Sequence, residues 1–279
     1  MTSINAGVSA SVTERGEPMA QFNKRYAAAK ADILLQRVAR GVGLHRAYYD
    51  TREIARARVE RLDIEKNRKL GLLFIHVPKC GGSSIEAQMD VSHTHRSAVY
   101  FRTADPAFFA KAWKFSIARN PYDRLVSAFH YLKRLNRGRD DLSSKGQKRS
   151  RDQAWAAEVL GPYPDFATFV DRLADAGFRE QVLAWLHFQP QWYFLCDRSG
   201  RLLVDEVAHL ESLDAFTERF NAAGHGLTLE AGVHKRRSER AAWPTYYDAE
   251  SAARVVEMYA RDFEILGYPT DFDASARGD

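Results

Sequence analysis

Residues 71–84, GLLFIHVPKCGGSS, run a mostly apolar stretch into a proline, a lysine, a glycine pair and two serines. These residue types suit the capture of an anion. Between a strand and a helix, a glycine pair lets successive backbone N–H groups turn inward around a charged group, and the start of the helix adds partial positive charge. The ammonium of Lys79 stands where it reaches the far side of such a group, and Ser83 and Ser84 offer hydroxyl donors. The plain alternative is a tight strand-to-helix turn that exposes a lysine. The residue order differs from the nucleotide-kinase loop G-x-x-x-x-G-K-[ST], in which lysine follows the second glycine. Here lysine comes first.

The order P-K-x-G-G-[ST]-[ST] resembles the 5′-phosphosulfate loop of sulfotransferases that use 3′-phosphoadenosine 5′-phosphosulfate. FIHVPKCGGSSIE is similar to that loop along its length, with Cys80 where many members have threonine. The resemblance implies that Lys79, Cys80, Gly81, Gly82, Ser83 and Ser84 hold the 5′ end of the donor, short of one hydroxyl at position 80. A thiol beside Lys79 is also expected to be sensitive to oxidation. A second segment, FSIARNPYDRLVSAFHYL, looks like the 3′-phosphate segment of the same family, R-N-P-x-x-R-x-x-S-x-[YF]. The resemblance assigns Arg119 and Ser127, eight residues apart, to the 3′-phosphate; a guanidinium fork fits a dianion, and the hydroxyl adds a donor. Without the family, Arg119 reads as a structural arginine paired with Asp123, and Ser127 as a small residue in a packed helix. Arg124 fits a structural ion pair and a ligand contact equally well.

FQPQWYFLCDRSGRLLVDEVAHLESLDAFTERF and YYDAESAARVVEMYARDFEILGY resemble the C-terminal half of the carbohydrate-type branch, which includes heparan and chondroitin sulfotransferases and many bacterial relatives. The resemblance covers about residues 70 to 269, apart from an insertion at 136–160. It implies transfer of a sulfuryl group to a hydroxyl of a glycan or glycoconjugate acceptor, with the phosphosulfate donor as co-substrate and no metal. In SHTHRSAVYFR it points to His95 as general base, with His93 in reserve, and Lys79 relieves the charge that builds on the leaving phosphate. His93 and His95 could also hold a metal, but no third ligand is evident. VHKRRSERAAWPTYY resembles a late loop over the nucleotide, in which Lys235, Arg236, Arg237 and Ser238 are candidate phosphate contacts; Trp243 and Tyr246 read as packing residues. His187 and Gln191 are placed to approach the nucleotide or the acceptor. His76, alternating with Phe74 inside the first strand, reads as a buried, hydrogen-bonded residue.

The elements that must carry these loops follow from periodicity. LLFIHV is an apolar run typical of a buried parallel strand, and Ser83 to Met89 a helix behind it; KFSIA at 114–118 and the amphipathic segment after Pro121 repeat the unit. Strand, loop and helix occurring twice predict an α/β fold, a P-loop-like parallel β-sheet flanked by helices. Residues 21–68 read as an N-terminal helical extension broken at Gly41-Val42-Gly43, and 69–269 as the sulfotransferase-like domain. Residues 1–20 read as a disordered tail and 270–279 as a second tail. The basic stretch 133–151 reads as an exposed loop, 165–187 and 212–224 as helical, and FLCDRSGRLLVDEVAHLE as a short hairpin turning at Ser199-Gly200. The segment 248–266 reads as a helix capped by Asp248 and followed by Gly267.

A chain of 279 residues with 45% hydrophobic content has enough apolar mass for a sizeable core. Its formal charge of +5 favours anionic partners without choosing among them. Two cysteines without CxxC spacing suggest neither a disulfide framework nor a zinc cluster and fit a reducing, cytoplasmic setting. The sequence carries no signal-peptide core and no integral membrane segment. Two other classes compete with the transferase reading. One is a small-molecule kinase. The other is a non-catalytic binder of polyanions using the basic 133–151 stretch and the N-terminal arginines, although the aromatic signatures of RNA binding are missing and no nucleic-acid partner is expected.

Overall fold

The computed structural model describes residues 19–60, 62–91, 94–136, 146–230 and 240–277. Three strands form one parallel sheet: β1 (Leu72–Ile75), β2 (Trp113–Ala118) and β3 (Glu206–His209), in the order β1-β2-β3. Leu72 pairs with Trp113 and Ile75 with Ser116; Phe115 pairs with Glu206 and Ala118 with His209. β1 and β2 are almost wholly buried, which explains their unbroken apolar composition, since a parallel sheet is covered on both faces. Parallel strands require crossovers, and helices supply them.

Two long helices, α1 (Met19–Gly41) and α2 (His45–Val59), precede the sheet, and the short α3 (Glu65–Leu70) leads into β1. The break between α1 and α2 falls at the glycine pair, where Gly43 has φ of 73°. Between β1 and β2 lie α4 (Ser83–Met89), α5 (Ala98–Ala104) and α6 (Pro106–Lys111). The last two escaped the periodicity reading because each is under two full turns; Ser97 and Asp105 cap them by accepting from Tyr100 N and Phe108 N.

β2 leads into α7 (Pro121–Asn136), whose first position is the proline that a first turn tolerates. The basic stretch expected as a loop is helical at both ends: α7 runs on to Asn136, and α8 (Gly146–Trp155) continues through one π-helical turn at Ala156–Leu160. Trp155, Ala156 and Leu160 are buried, so apolar anchors beyond the charge run hold α8 in place. The 165–187 pattern divides into α9 (Phe166–Arg172) and α10 (Ala176–Leu183), because Asp175 caps a new start by accepting from Phe178 N. A short α11 (Trp192–Leu195) follows.

The expected hairpin at 199–200 reduces to one antiparallel bridge, Cys196 with Leu202, and the chain goes on to lay down β3 beside β2. The β3 signal was weak because it is a half-buried outer strand in which Ala208 alone is fully inside. After it come α12 (Leu213–Ala223) and α13 (Ala249–Leu266). The latter opens on a capping box built by Asp248 and Ser251 and closes on Gly267 at φ 71°. The final stretch read as a tail contains α14 (Phe272–Arg277), tied down by Asn120 Nδ2 donating to Ser275 Oγ at 3.1 Å. None of the described helices is long and apolar enough to cross a membrane.

Candidate functional site

β1 and β2 are hydrogen-bonded neighbours running the same way, so the loops leaving their C-terminal ends emerge side by side, where open α/β sheets hold their ligands. The first loop turns sharply at Lys79 and Gly81, with φ of 71° and 78°. A left-handed lysine costs on the order of 1–3 kcal/mol, and such backbone strain collects at binding sites. Gly82 is fixed by contact as well: a Cβ there would lie 2.5 Å from His76 Cδ2 and 2.8 Å from Phe74 Cζ. At Gly81 the same atom would lie 2.8 Å from Leu210 Cδ1. The loop is thus packed closely from below. Lys79, Gly81 and Ser83 have accessible surface, whereas Cys80, Gly82 and Ser84 are buried.

Cys80 differs from its expected place in an open cradle. Its side chain is fully buried, its Sγ donates to Gln191 Oε1 at 3.1 Å, and burial pushes the thiol up to about 12. A thiol so held is neither a nucleophile nor an exposed redox centre. The left-handed turn at Lys79 sends the next side chain into the core, a consequence hidden at the level of sequence.

The second loop meets the first directly. Arg119 Nη1 donates to Lys79 O at 3.1 Å. Its Nε donates to Asp123 Oδ2 at 2.8 Å, so the pairing with Asp123 exists alongside the contact to the first loop. Arg240 pairs with the other oxygen of the same carboxylate. Two guanidiniums share this one carboxylate beside Lys79, and Glu211 accepts from Asn120 N at 2.8 Å on the same loop. Ser127, one helical turn beyond Asp123 on α7, is half-buried.

Gln191 binds the two loops together. It is fully buried; its Oε1 accepts from Cys80 Sγ and from Arg119 N at 3.0 Å, and its Nε2 donates to Arg119 O at 2.7 Å. Asp262 on α13 accepts from the backbone N–H groups of Gln191 and Trp192, both at 2.9 Å. Burial lifts the Asp262 carboxyl to about 6 despite those bonds and the nearby charge of Arg124. Arg124 itself is a strut: it donates to Pro78 O at 3.0 Å and Gln189 O at 2.8 Å and is 2% exposed, which resolves its ambiguity in favour of structure.

The histidines gather on the other side of the first loop. His95 Nδ1 lies 3.1 Å from His76 O. Since a carbonyl only accepts, Nδ1 carries the proton, and in the neutral ring Nε2 keeps its lone pair. The ring of His76, held by Glu86 Oε1 at 2.9 Å from Nδ1, lies edge-on to His95 at 4.3 Å. His187 stands 6.4 Å from His95 and 4.9 Å from Tyr131, and Lys79 Nζ lies 3.9 Å from the Tyr131 ring centre. Lys79 and His95 thereby border one aromatic cluster.

Lys79, Gly81, Gly82, Ser83, Ser84, Arg119, Ser127 and His95 occupy the two loops and their flanks. His93, Lys235, Arg236, Arg237 and Ser238 lie outside the described residues. Trp243 stacks on Tyr122 at 5.4 Å and Tyr246 packs on Phe166 and His130, in keeping with packing roles. Sequence reasoning missed Arg240, Asp262, Glu86 and Tyr131, and it expected Gln191 to approach the nucleotide or the acceptor, whereas the side chain is fully buried between the two loops and bonded to both. Among the described residues, no group of three or more His, Cys, Asp or Glu is arranged to hold a metal ion.

The cation set, the glycine turn blocked from beneath and the second arginine loop fit a compact donor that carries anionic groups at two ends. In comparison with known proteins, no curated protein and no solved structure matches this chain. A family model described as the sulfotransferase family matches residues 63–269, which take in both loops, the histidine cluster and all three strands. By that match over most of its length, and with a parallel three-stranded sheet flanked by helices, the chain belongs to the sulfotransferase family.

Proposed function

We propose that the protein moves a sulfuryl group from 3′-phosphoadenosine 5′-phosphosulfate to a hydroxyl of a carbohydrate or glycoconjugate acceptor. The reading is supported above all by the 3.1 Å contact between Arg119 Nη1 and Lys79 O, which joins the two loops directly. The donor supplies the sulfuryl group and leaves as 3′-phosphoadenosine 5′-phosphate.

Each residue then has a definite task. Backbone N–H groups of the 81–84 turn, with the Ser83 and Ser84 hydroxyls, hold the 5′-phosphate end. Lys79 offsets the negative charge that grows there. Arg119 and Ser127 hold the 3′-phosphate, and Asp123 keeps the guanidinium of Arg119 turned toward the first loop. Arg237, outside the described residues, is a further candidate contact to the nucleotide. His95 takes the hydroxyl proton of the acceptor on Nε2, because its Nδ1 proton is committed to His76 O. Gln191 and Arg124 touch no reactant; they hold the loops at their spacing.

The test is nucleotide titration followed by thermal denaturation. A ligand at a hundred times its Kd stabilises a protein by about 2.7 kcal/mol. 3′-Phosphoadenosine 5′-phosphate should raise the melting midpoint of the wild type and leave Arg119→Ala unmoved. An unshifted wild-type midpoint at saturating nucleotide would remove the proposal. Transfer of labelled sulfate from the donor to a panel of glycans, with a phenol as the contrasting acceptor, then tests the acceptor class.

A further inference from the structure

The outer face of α1 is apolar where a surface helix is ordinarily polar. Ala27, Ala31, Leu34, Leu35 and Val38 share one side of the helix at spacings of three and four residues, and all are exposed. Leu34 is 59% exposed, Leu35 54% and Val38 59%, and Val42, just past the helix end, continues the stripe at 65%. From position 27 to position 38 the stripe runs about 17 Å. The opposite side carries the contacts with the protein: Ile33 and Gln36 are buried, and α1 packs against α2 and α10. A contiguous apolar strip of this kind marks an interaction surface, unlike leucines scattered singly over a protein.

The charges around the strip select the partner. Exposed Lys24 and Arg37 border it, Lys30 beside them is paired with Glu158 at 2.7 Å, and Arg58 is exposed near the end of α2. The one acid of α1, Asp32, is turned inward, where it accepts from Tyr48, Gln36 and Arg52. A second copy laid on this face would bring cations against the same cations. The longer segments outside the described residues, 1–18, 137–145 and 231–239, contain few large apolar side chains to cover it. A surface that is apolar below and anionic above suits both features.

We infer that the outer face of α1 docks the enzyme on an anionic lipid surface, with Leu34, Leu35, Val38 and Val42 entering the headgroup boundary and Lys24 and Arg37 meeting the lipid charges. The helix lies on such a surface and does not cross it. The inference is independent of the donor site and stands whichever acceptor the enzyme uses.

Vesicle sedimentation of the full chain tests it, using phosphatidylcholine vesicles with and without about one-third phosphatidylserine. The wild type should sediment with the anionic vesicles, more weakly as salt rises, and stay in solution with phosphatidylcholine alone. The double variant Leu35→Glu/Val38→Glu should bind about tenfold less while keeping the wild-type melting midpoint, since both side chains are already solvent-exposed. Lys24→Glu/Arg37→Glu should weaken binding without touching the apolar strip. No sedimentation with anionic vesicles would overturn the inference. So would a concentration-dependent dimer that Leu35→Glu/Val38→Glu dissolves, since the strip would then belong to a second copy. Binding by the double variant equal to that of the wild type would overturn it too.

Discussion

Arg119 Nη1 donates to the carbonyl oxygen of Lys79, so the arginine of one loop closes on the backbone of the lysine in the other. In the proposed reaction the two side chains serve different ends of the donor, so their loss should separate binding from chemistry. Lys79→Ala should lower kcat by about a hundredfold or more while nucleotide affinity falls much less, because its charge acts chiefly on the leaving group. Arg119→Ala should lose nucleotide binding itself. Arg119→Lys should not restore it, because an ammonium cannot pair with Asp123 and reach Lys79 O at once. Calorimetric titration of each variant with 3′-phosphoadenosine 5′-phosphate, beside steady-state rates, checks the separation. Equal losses in both measurements for Lys79→Ala would contradict it.

Gln191 turns this juxtaposition into a fixed distance. Gln191→Ala removes the acceptor shared by Cys80 and Arg119 N and leaves buried donors unmet, at about 1–3 kcal/mol of stability for such a group. Nucleotide affinity should fall about tenfold even though Gln191 lies behind both loops. Cys80→Thr should be nearly silent, since a hydroxyl donates to the same oxygen, whereas Cys80→Val should behave as a mild form of Gln191→Ala. Denaturant unfolding and nucleotide titration of the three variants read this out. A Cys80→Val protein with unchanged stability and affinity would mean that the bond carries no structural work.

The first loop and its helix were legible because their signal is local. An apolar strand, a glycine pair and a helical period lie within twenty residues, and the Pro121 loop repeats the pattern. The residues that hold the loops together were not legible, since their partners are distant in the chain. Gln191 is 72 positions from Arg119, Asp262 is 71 from Gln191, and Arg240 is 117 from Asp123. Only the packing of α7, α11 and α13 brings them together. Cys80 was misplaced for a subtler reason, because side-chain direction along a turn follows the backbone sign at Lys79, which composition does not encode. β3 was obscured by its exposure, and α5 and α6 by their shortness.

Gly82 carries a prediction drawn from space alone. Its added Cβ would meet the ring of His76, which Glu86 holds in place and against which His95 rests. Gly82→Ala should therefore displace His76 and through it His95, the proposed base, lowering both kcat and stability. Overpacking of this kind costs about 1–3 kcal/mol. Pairing Gly82→Ala with His76→Ala, which vacates the space, should recover part of the lost stability. A double variant no more stable than the sum of the two singles would show that the contact is not the cause.

Among the stability effects, the pH response of Asp262 has a definite sign. Burial raises its carboxyl from 3.8 to about 6, so the native state holds the proton more tightly than the unfolded chain does. The stabilisation this gives is fully present below about pH 4 and is lost as pH rises through 6. Two pKa units correspond to about 3 kcal/mol. Asp262→Asn has no proton to exchange, so the stability of the wild type relative to this variant should fall by that order between pH 4 and pH 7, as read by urea unfolding at each pH. The carboxylate remains at neutral pH because it still accepts from Gln191 N and Trp192 N, whereas the side-chain amide introduced by Asp262→Asn offers one acceptor oxygen for two donors. The variant should therefore bind nucleotide more weakly at every pH, through a Gln191 that is less firmly held. A stability difference that stayed flat from pH 4 to pH 7 would place the buried carboxyl's titration elsewhere and remove Asp262 from the control of the loops.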